Sequence, residues 1–118
     1  MDDSLAHASA RVAAQLGPLQ REAAYQRALA AELRAVGCVV SVEHPVVVMY
    51  TPIDGVAVPV DSLRADLVVD GKAVVECKVA LTVTADAKAQ ARRYATTLGL
   101  TPYVVAFRRS GGAVVVQC

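Results

Sequence analysis

The sequence predicts an α/β or α+β domain in which helices flank a mostly buried sheet. Three observations support this fold class: apolar residues recur at helical intervals over residues 5–36, Val-rich runs follow from Cys38, and a second helical pattern over 85–98 precedes two more Val-rich runs. The 22 Ala and 22 Val residues supply helix formers and strand formers in equal number. This order of segments fits sheet and helix layers packed around one core.

The length and composition predict one globular domain spanning residues 1–118. With 55% apolar and 19% charged residues, the chain is too apolar to be disordered and long enough to bury a core without disulfides. The net charge of +1 gives no overall attraction to a polyanion, so any contact with nucleic acid would need a local basic patch.

Cysteine usage and the lack of long apolar runs bear on location. Cys38, Cys77 and Cys118 are widely spaced and odd in number, which favours reduced thiols in an intracellular compartment. With two histidines and no C-x-x-C pattern, a zinc site is not expected. The acidic start resembles no leader and no apolar run could cross a bilayer, so we expect a soluble intracellular protein without membrane contacts, cytoplasmic or alternatively nuclear.

Two helices are predicted before the first strand. Apolar residues follow each other at three- and four-residue intervals as far as Val36. Gly17-Pro18 should interrupt this pattern, because glycine commonly ends a helix and proline suits the first turn of the next one. We therefore predict helices over 3–16 and 18–36, with Gly37 closing the second.

The next segments read as strands. Val-rich runs over 38–42 and 46–50 predict two short strands separated by a proline, and the proline-containing residues 51–62 are predicted as an irregular connection. Runs over 63–69 and 73–79 flank an Asp-Gly pair, which is a strong signal for a hairpin.

The remaining segments predict a helix and a closing hairpin. The helix should run over 85–98, with Thr84 as its N-cap and Gly99 after its end. Residues 103–108 and 113–117 then read as two strands joined by a Ser-Gly-Gly turn.

Charged residues interrupt two of these apolar strands. Glu76 and Lys78 share one face of their strand, and Asp66 lies within the preceding one. Ionised groups are costly in such strands unless they are paired or bind a cation. Two carboxylates beside a lysine can hold a hard divalent cation and stabilise charge while water attacks a phosphodiester. The alternative is a buried ion pair of Lys78 with either acid, and on these strands alone the two interpretations weigh equally.

Further polar residues fall on apolar helical faces. Glu22 shares a stripe with Leu19 and Leu29, so its carboxylate is predicted to point toward the core. Gln90 and Tyr94, four residues apart, occupy the inner stripe of the last helix. Taken singly, these residues are equally explained as a boundary glutamate, a hydrogen-bonded amide and an amphipathic tyrosine. Taken together, they predict that polar groups converge on one face of the sheet.

These residues resemble the motifs of a nuclease family. Arg64-Ala65-Asp66, nine intervening residues and Glu76-Cys77-Lys78 resemble the D…(D/E)-x-K signature of the PD-(D/E)XK nuclease superfamily. The segment from Gln90 to Tyr94 resembles the Q-x-x-x-Y element of its RecB-like branch. The closest resemblance, over roughly residues 5–108, is to the GxxExxY protein family, although Leu19 stands in place of its glycine and Ala65 in place of the motif proline.

The resemblance implies a restriction-endonuclease-like α/β fold, with an αβββαβ core and a mixed central sheet flanked by helices. It also implies a nuclease that depends on Mg²⁺ or Mn²⁺ and hydrolyses phosphodiester bonds, with DNA as the expected partner. The implied metal ligands are Asp66, Glu76, the backbone carbonyl of Cys77, and Glu22 either directly or through water. The implied nucleic-acid contacts are Arg64, Arg92, Arg93 and Tyr25.

The resemblance also implies roles for the remaining site residues. Lys78 would position the attacking water or stabilise developing charge, and Gln90 and Tyr94 would orient Lys78 or a phosphate. The Cys77 side chain should face away from the site and pack in the core, so it is not a candidate nucleophile.

The register of the predicted hairpin tests this site. Asp66 and Glu76 share a face only if paired residues sum to an even number, whereas a two-residue turn at Asp70-Gly71 would make that sum odd. We therefore predict a three-residue loop over residues 70–72, or a bulge in one strand.

A non-catalytic module that binds nucleic acid or protein on the same fold is the alternative function. The small size favours it, because little beyond the core is left to grip a substrate. A homodimer, favoured by the apolar N-terminal helix and the Val-rich edge strands, could supply the missing surface. The sequence leaves open DNA against RNA, and cleavage at ends against cleavage within strands.

Overall fold

Three helices flank a five-stranded mixed sheet in the computed structural model, which describes residues 1–118 apart from the side chain of Asp2. The elements are α1 (Asp2–Leu16), α2 (Glu22–Ala35), β1 (Val40–Tyr50), β2 (Val58–Val69), β3 (Ala73–Val79), α3 (Ala85–Leu98), β4 (Thr101–Phe107) and β5 (Ala113–Gln117). The strands lie in chain order, with β3 and β4 parallel and the other neighbours antiparallel. Helix α3 is the crossover that the parallel pair requires. The predicted α/β class, with a mixed sheet and an αβββαβ order, is confirmed.

A different helical layer covers each face of the sheet. Helices α1 and α2 pack on one face, in a cluster that includes Tyr25, Leu29 and Phe107. Helix α3 covers the other face, where Tyr94 packs with Val46. Small Ala side chains on the helices meet branched Val side chains on the strands, which accounts for the bias in composition.

The helix predictions are correct for α3 and need one correction at α2. The Thr84 hydroxyl caps α3 by accepting a hydrogen bond from the Ala87 N–H at 3.2 Å, and Gly99 follows in the left-handed region at φ 72°. Helix α2 begins at Glu22 rather than at residue 18. The reason is that the Tyr25 hydroxyl folds back, donating to the Gly17 carbonyl and accepting from the Gln20 N–H, which holds residues 17–21 as a turn.

The strand predictions are wrong around the prolines. The two short runs form one strand, β1, because Pro45 lies on an edge strand where its missing N–H interrupts no ladder. Strand β2 begins at Val58, so the irregular connection shrinks to residues 51–57. Pro59 is accommodated next to a register shift opposite Met49. Among the described residues, no helix is both long and apolar enough to span a bilayer.

Candidate active site

The loop between β2 and β3 sets the register of the site. Val69 pairs with Ala73, which leaves a three-residue loop over 70–72, and the pairs continue to Leu67 opposite Val75. The predicted three-residue loop is therefore confirmed. One step further along the same register, Asp66 stands opposite Glu76.

Asp66 and Glu76 are joined by two reciprocal hydrogen bonds. The backbone N–H of Asp66 donates to Oε2 of Glu76 at 2.7 Å, and the backbone N–H of Cys77 donates to Oδ2 of Asp66 at 2.8 Å. Each carboxylate is thus held by the backbone of the opposite strand, in place of the ordinary ladder bonds. The arrangement orients both acids without any cationic side chain.

The ladder of backbone hydrogen bonds is also interrupted at Asp66 on the side of β2 that faces β1. Strand β1 pairs Val42 with Leu67 and His44 with Ala65, so Glu43 and Asp66 lie opposite each other without pairing. Glu43 adopts φ 51°, in the left-handed region that non-glycine residues rarely enter.

Across this break, the inward-facing side chains of both strands change from one face of the sheet to the other. Val42 packs in the cluster under α1 and α2, whereas Val46 packs under α3, although unbroken alternation would put both on one face. Leu67 and Ala65 on β2 are divided in the same way. The acidic pair therefore lies where the two strands change sides.

Gln26 supports the broken strand from α2. Its amide nitrogen Nε2 donates to the backbone carbonyl of Asp66 at 3.3 Å, and its side chain is buried. Sequence reasoning missed this residue. The feature that could have identified Gln26 is its position one helical turn after Glu22, on the face of α2 that points toward the sheet.

Burial dominates the electrostatics of the acidic pair. The Glu76 side chain is 1% exposed, and burial, followed by repulsion from Asp66, raises its pKa to about 8. Burial also raises the pKa of Asp66, although the hydrogen bond from the Cys77 N–H opposes that shift. At neutral pH the pair therefore favours holding a proton unless a cation is supplied.

Lys78 is not the partner of these acids. Its Nζ lies 4.0 Å from Oε1 of Glu22, with 32% and 46% of the two side chains exposed. Among the described side chains, no Lys or Arg nitrogen lies within 4.0 Å of the carboxylate of Asp66 or Glu76. The buried ion pair that the sequence left open as an alternative is thus not formed.

The three acids predicted as metal ligands are not gathered into one cluster. Within the described side chains, no group of three His, Cys, Asp or Glu residues is placed to hold a metal ion. Asp66 and Glu76 come together, whereas Glu22 lies on the exposed rim beside Lys78. The prediction that its carboxylate points toward the core is wrong, because Glu22 is the first residue of α2 and its side chain is exposed at that end of the helix. Asp66 and Glu76 still fit a divalent cation, because they offer oxygen donors and no Lys or Arg nitrogen lies within 4.0 Å of them among the described side chains.

Gln90 and Tyr94 bond to each other on α3. The amide Nε2 of Gln90 donates to the Tyr94 hydroxyl at 2.8 Å, and the Tyr94 ring is buried against the sheet. Gln90 and Lys78 line the same pocket of about 190 Å³, at the start of α3. The pair therefore lies on the Lys78 side of the site, with no direct hydrogen bond to Lys78 among the described contacts.

The three arginines predicted to contact nucleic acid are exposed, and each has a protein partner. Arg64 pairs with Glu43 at 3.4 Å and Arg93 with Asp61 at 3.0 Å. Arg92 donates through Nε to the Cys118 carbonyl at 3.1 Å. All three retain donors that could face a phosphate, because a guanidinium carries five N–H groups.

Tyr25 and Cys77 both lie in the core under α1 and α2. The Tyr25 ring is stacked on Phe107 with centroids 4.6 Å apart, so the prediction that it contacts nucleic acid is wrong. The physical reason is that residue 25 lies on the buried stripe of α2, whose helical spacing also carries Leu29. The Cys77 thiol is fully buried, as predicted, and burial raises its pKa well above the ordinary value.

Comparison with known proteins agrees with this arrangement. A family model of the PD-(D/E)XK nuclease superfamily matches residues 1–113. No curated protein and no solved structure gives a significant match. The match covers both strands that hold the acidic pair, as well as α2 and α3 on either side. The chain therefore belongs to the PD-(D/E)XK nuclease superfamily.

Proposed function

We propose that this protein is a Mg²⁺- or Mn²⁺-dependent nuclease that hydrolyses phosphodiester bonds in DNA. Superfamily members are generally nucleases, which supports a phosphodiester hydrolase. The observation that carries the proposal is the hydrogen-bonded pair of Glu76, which is buried, and Asp66, which is partly buried, with no Lys or Arg nitrogen within 4.0 Å of either carboxylate among the described side chains. Placing ionisable acids in a largely apolar sheet costs stability, so a purely structural role does not explain this pair.

Asp66 and Glu76 would hold the metal, together with the carbonyl of Cys77, and Glu22 would reach it directly or through water. A bound divalent cation would supply Lewis-acid activation of a phosphate oxygen and lower the pKa of water. The reciprocal backbone bonds fix one oxygen of each carboxylate, which leaves its other oxygen for this purpose. Binding a cation would also remove the repulsion between the two acids.

Lys78 would act on the substrate side. It lies two residues after Glu76 on β3, and its side chain, which is partly exposed, belongs to a residue that lines the same pocket as Gln90. From there it would orient the attacking water or stabilise charge on the phosphate. The contact with Glu22 would hold the ammonium in place when no substrate is bound.

The bonded pair Gln90 and Tyr94 would orient either Lys78 or a phosphate. Tyr94 is anchored in the core under α3, so the hydrogen bond fixes the Gln90 amide against a rigid support. Arg64, Arg92 and Arg93 would add contacts to the nucleic-acid backbone, which position the strand without reading its sequence. Membership of the GxxExxY protein family, within the RecB-like branch, is part of the same proposal.

The test is cleavage of supercoiled, linear duplex and single-stranded DNA, and of RNA, in Mg²⁺, Mn²⁺ or EDTA. We expect metal-dependent cleavage of DNA by the wild-type protein and its loss in Asp66→Asn, Glu76→Gln and Lys78→Ala. Lys72→Ala is the matched control, because Lys72 is an exposed lysine in the loop that joins the same two strands. Equal cleavage by Lys78→Ala and wild type would trace the activity to a contaminant.

One observation favours a binding module as the second candidate. Glu22 pairs with Lys78, so two acids rather than three come together at the site among the described side chains. A binding module would hold nucleic acid with an affinity that falls as salt rises, and would show no metal-dependent turnover. The same preparations used for cleavage distinguish the two candidates.

A further inference from the structure

The outer half of the β1–β2 hairpin carries an unusual concentration of exposed apolar side chains. We define the arm as residues 47–60, which comprise the end of β1, the loop over 51–57 and the start of β2. Strand β3 pairs with β2 only at residues 67–69, so this half of the hairpin has no third strand beside it.

Seven of the 12 large hydrophobic residues that are exposed among the described side chains fall in the arm. They are Val47, Met49, Tyr50, Ile53, Val56, Val58 and Val60. The other five are scattered along the chain, from Met1 to Leu81. Ile53 at the tip is fully exposed, so it contributes nothing to the core of its own molecule.

The apolar area of the arm supplies a large part of what an interface needs. A fully exposed side chain of this kind presents on the order of 60–120 Å² of apolar surface. Seven of them, about half exposed or more, therefore offer on the order of 250–500 Å², roughly a third to two-thirds of the roughly 800 Å² that one partner contributes to an interface of standard size. An exposed apolar patch of this size is often an interaction site.

We propose that the arm packs against the arm of a second copy of this chain, around a twofold axis. The arm contains one charged residue, Asp54, and no Lys or Arg, so it offers nothing that would recognise a phosphate backbone or a charged partner. A twofold axis brings the same patch of each copy together, and two nearly uncharged apolar patches can meet there with little charge repulsion.

The exposed backbone edge of β1 also favours a second copy of this chain as the partner. As the edge strand of the sheet, β1 presents unpaired N–H and C=O groups from Val47 to Tyr50. No charged side chain protects this stretch, and the nearest prolines, Pro45 and Pro52, lie outside it. An identical edge on a second copy could pair with it in antiparallel fashion.

Sedimentation of the full chain tests the proposal. We expect the wild-type protein to sediment at twice its 12.3 kDa mass at micromolar concentrations. Met49→Lys and Ile53→Asp should each raise the dissociation constant at least about tenfold. Both side chains are exposed, so circular dichroism should show unchanged folding of the monomer.

Leu19→Asp is the matched control, because Leu19 is an exposed apolar residue outside the arm, with 82% of it accessible. It should leave the dimer intact, and hydrogen exchange should show protection of residues 47–50 that increases with concentration. A wild-type monomer at all concentrations would overturn the proposal. So would a dimer that Leu19→Asp disrupts and the two arm variants do not. Neither outcome depends on nuclease activity, so the proposed function is tested separately.

Discussion

The backbone N–H of Asp66 donates a 2.7 Å hydrogen bond to Oε2 of Glu76, across two antiparallel strands. The opposite bond, from the Cys77 N–H to Asp66, completes a closed pair of contacts. Because each acid is positioned by the other strand, removing one side chain disturbs the backbone that positions the other. The two residues therefore act as one structural unit, and single substitutions should reveal this coupling.

Glu76→Gln should preserve the fold in the absence of metal, because the amide oxygen can still accept from the Asp66 N–H and no buried charge remains. Glu76→Ala should cost about 2–3 kcal/mol, through the cavity and the unpaired N–H it creates. Urea unfolding in EDTA measures both values. Mg²⁺ should raise the melting temperature of wild type but of neither variant, and equal stabilisation of all three would contradict this assignment.

The stability of the metal-free protein should fall as pH rises. Burial and Asp66 raise the pKa of Glu76 from 4.5 to about 8, so between these values the folded state holds a proton that the unfolded state has released. The free energy of unfolding therefore decreases across this window, by on the order of a few kcal/mol.

Unfolding in EDTA between pH 4.5 and pH 8 measures this slope, with Glu76→Gln as the control that should flatten it. Burial raises the pKa of Asp66 as well, which acts in the same direction. Stability that rises with pH over the same window would show that the pair is ionised without metal. With Mg²⁺ present, the melting temperature should increase more at the upper end of the window, because binding requires the deprotonated pair.

Gln26→Leu should destabilise the protein by about 1–2 kcal/mol, because it leaves the Asp66 carbonyl without its side-chain donor. It should also weaken Mg²⁺ binding, since the strand that carries Asp66 loses its support from α2. Calorimetric titration and urea unfolding measure the two effects. Gln15→Leu, an exposed glutamine on α1, is the control and should change neither.

Tyr94→Phe should lower the rate of DNA cleavage while changing stability by less than about 1.5 kcal/mol. The ring stays packed under α3, and only the hydroxyl that holds the Gln90 amide is lost. Cleavage kinetics and thermal unfolding measure the two quantities, with Tyr50→Phe as the exposed control. A rate equal to that of wild type would remove Gln90 and Tyr94 from the catalytic assignment.

The parts of the fold that local rules govern could be predicted from the sequence. The cap of α3 follows from Thr84 and Gly99, and β3 was predicted with its observed bounds. The three-residue loop could be predicted from the strand period of two residues. Asp66 and Glu76 share a face only if paired residue numbers have an even sum, and a two-residue turn would make that sum odd.

The parts that depend on tertiary contacts could not be predicted. Nothing local marks Glu43 as a residue with positive φ, since that conformation is imposed by strands changing sides. Gln26 looks like any helical glutamine until β2 is packed beneath it. The resemblance suggested Tyr25 as a ligand contact, whereas helical spacing alone places its ring in the core.

The change of sides at Glu43 and Asp66 makes the acidic pair a shared border between two otherwise separate hydrophobic interiors. The strands at this border contact both interiors, so a packing change in either one acts on the segments that carry the acidic pair. Substitutions far from any ligand, in α1 or in α3, can therefore reach the two carboxylates through packing alone. The geometry of the acidic pair therefore depends on the packing of both hydrophobic clusters.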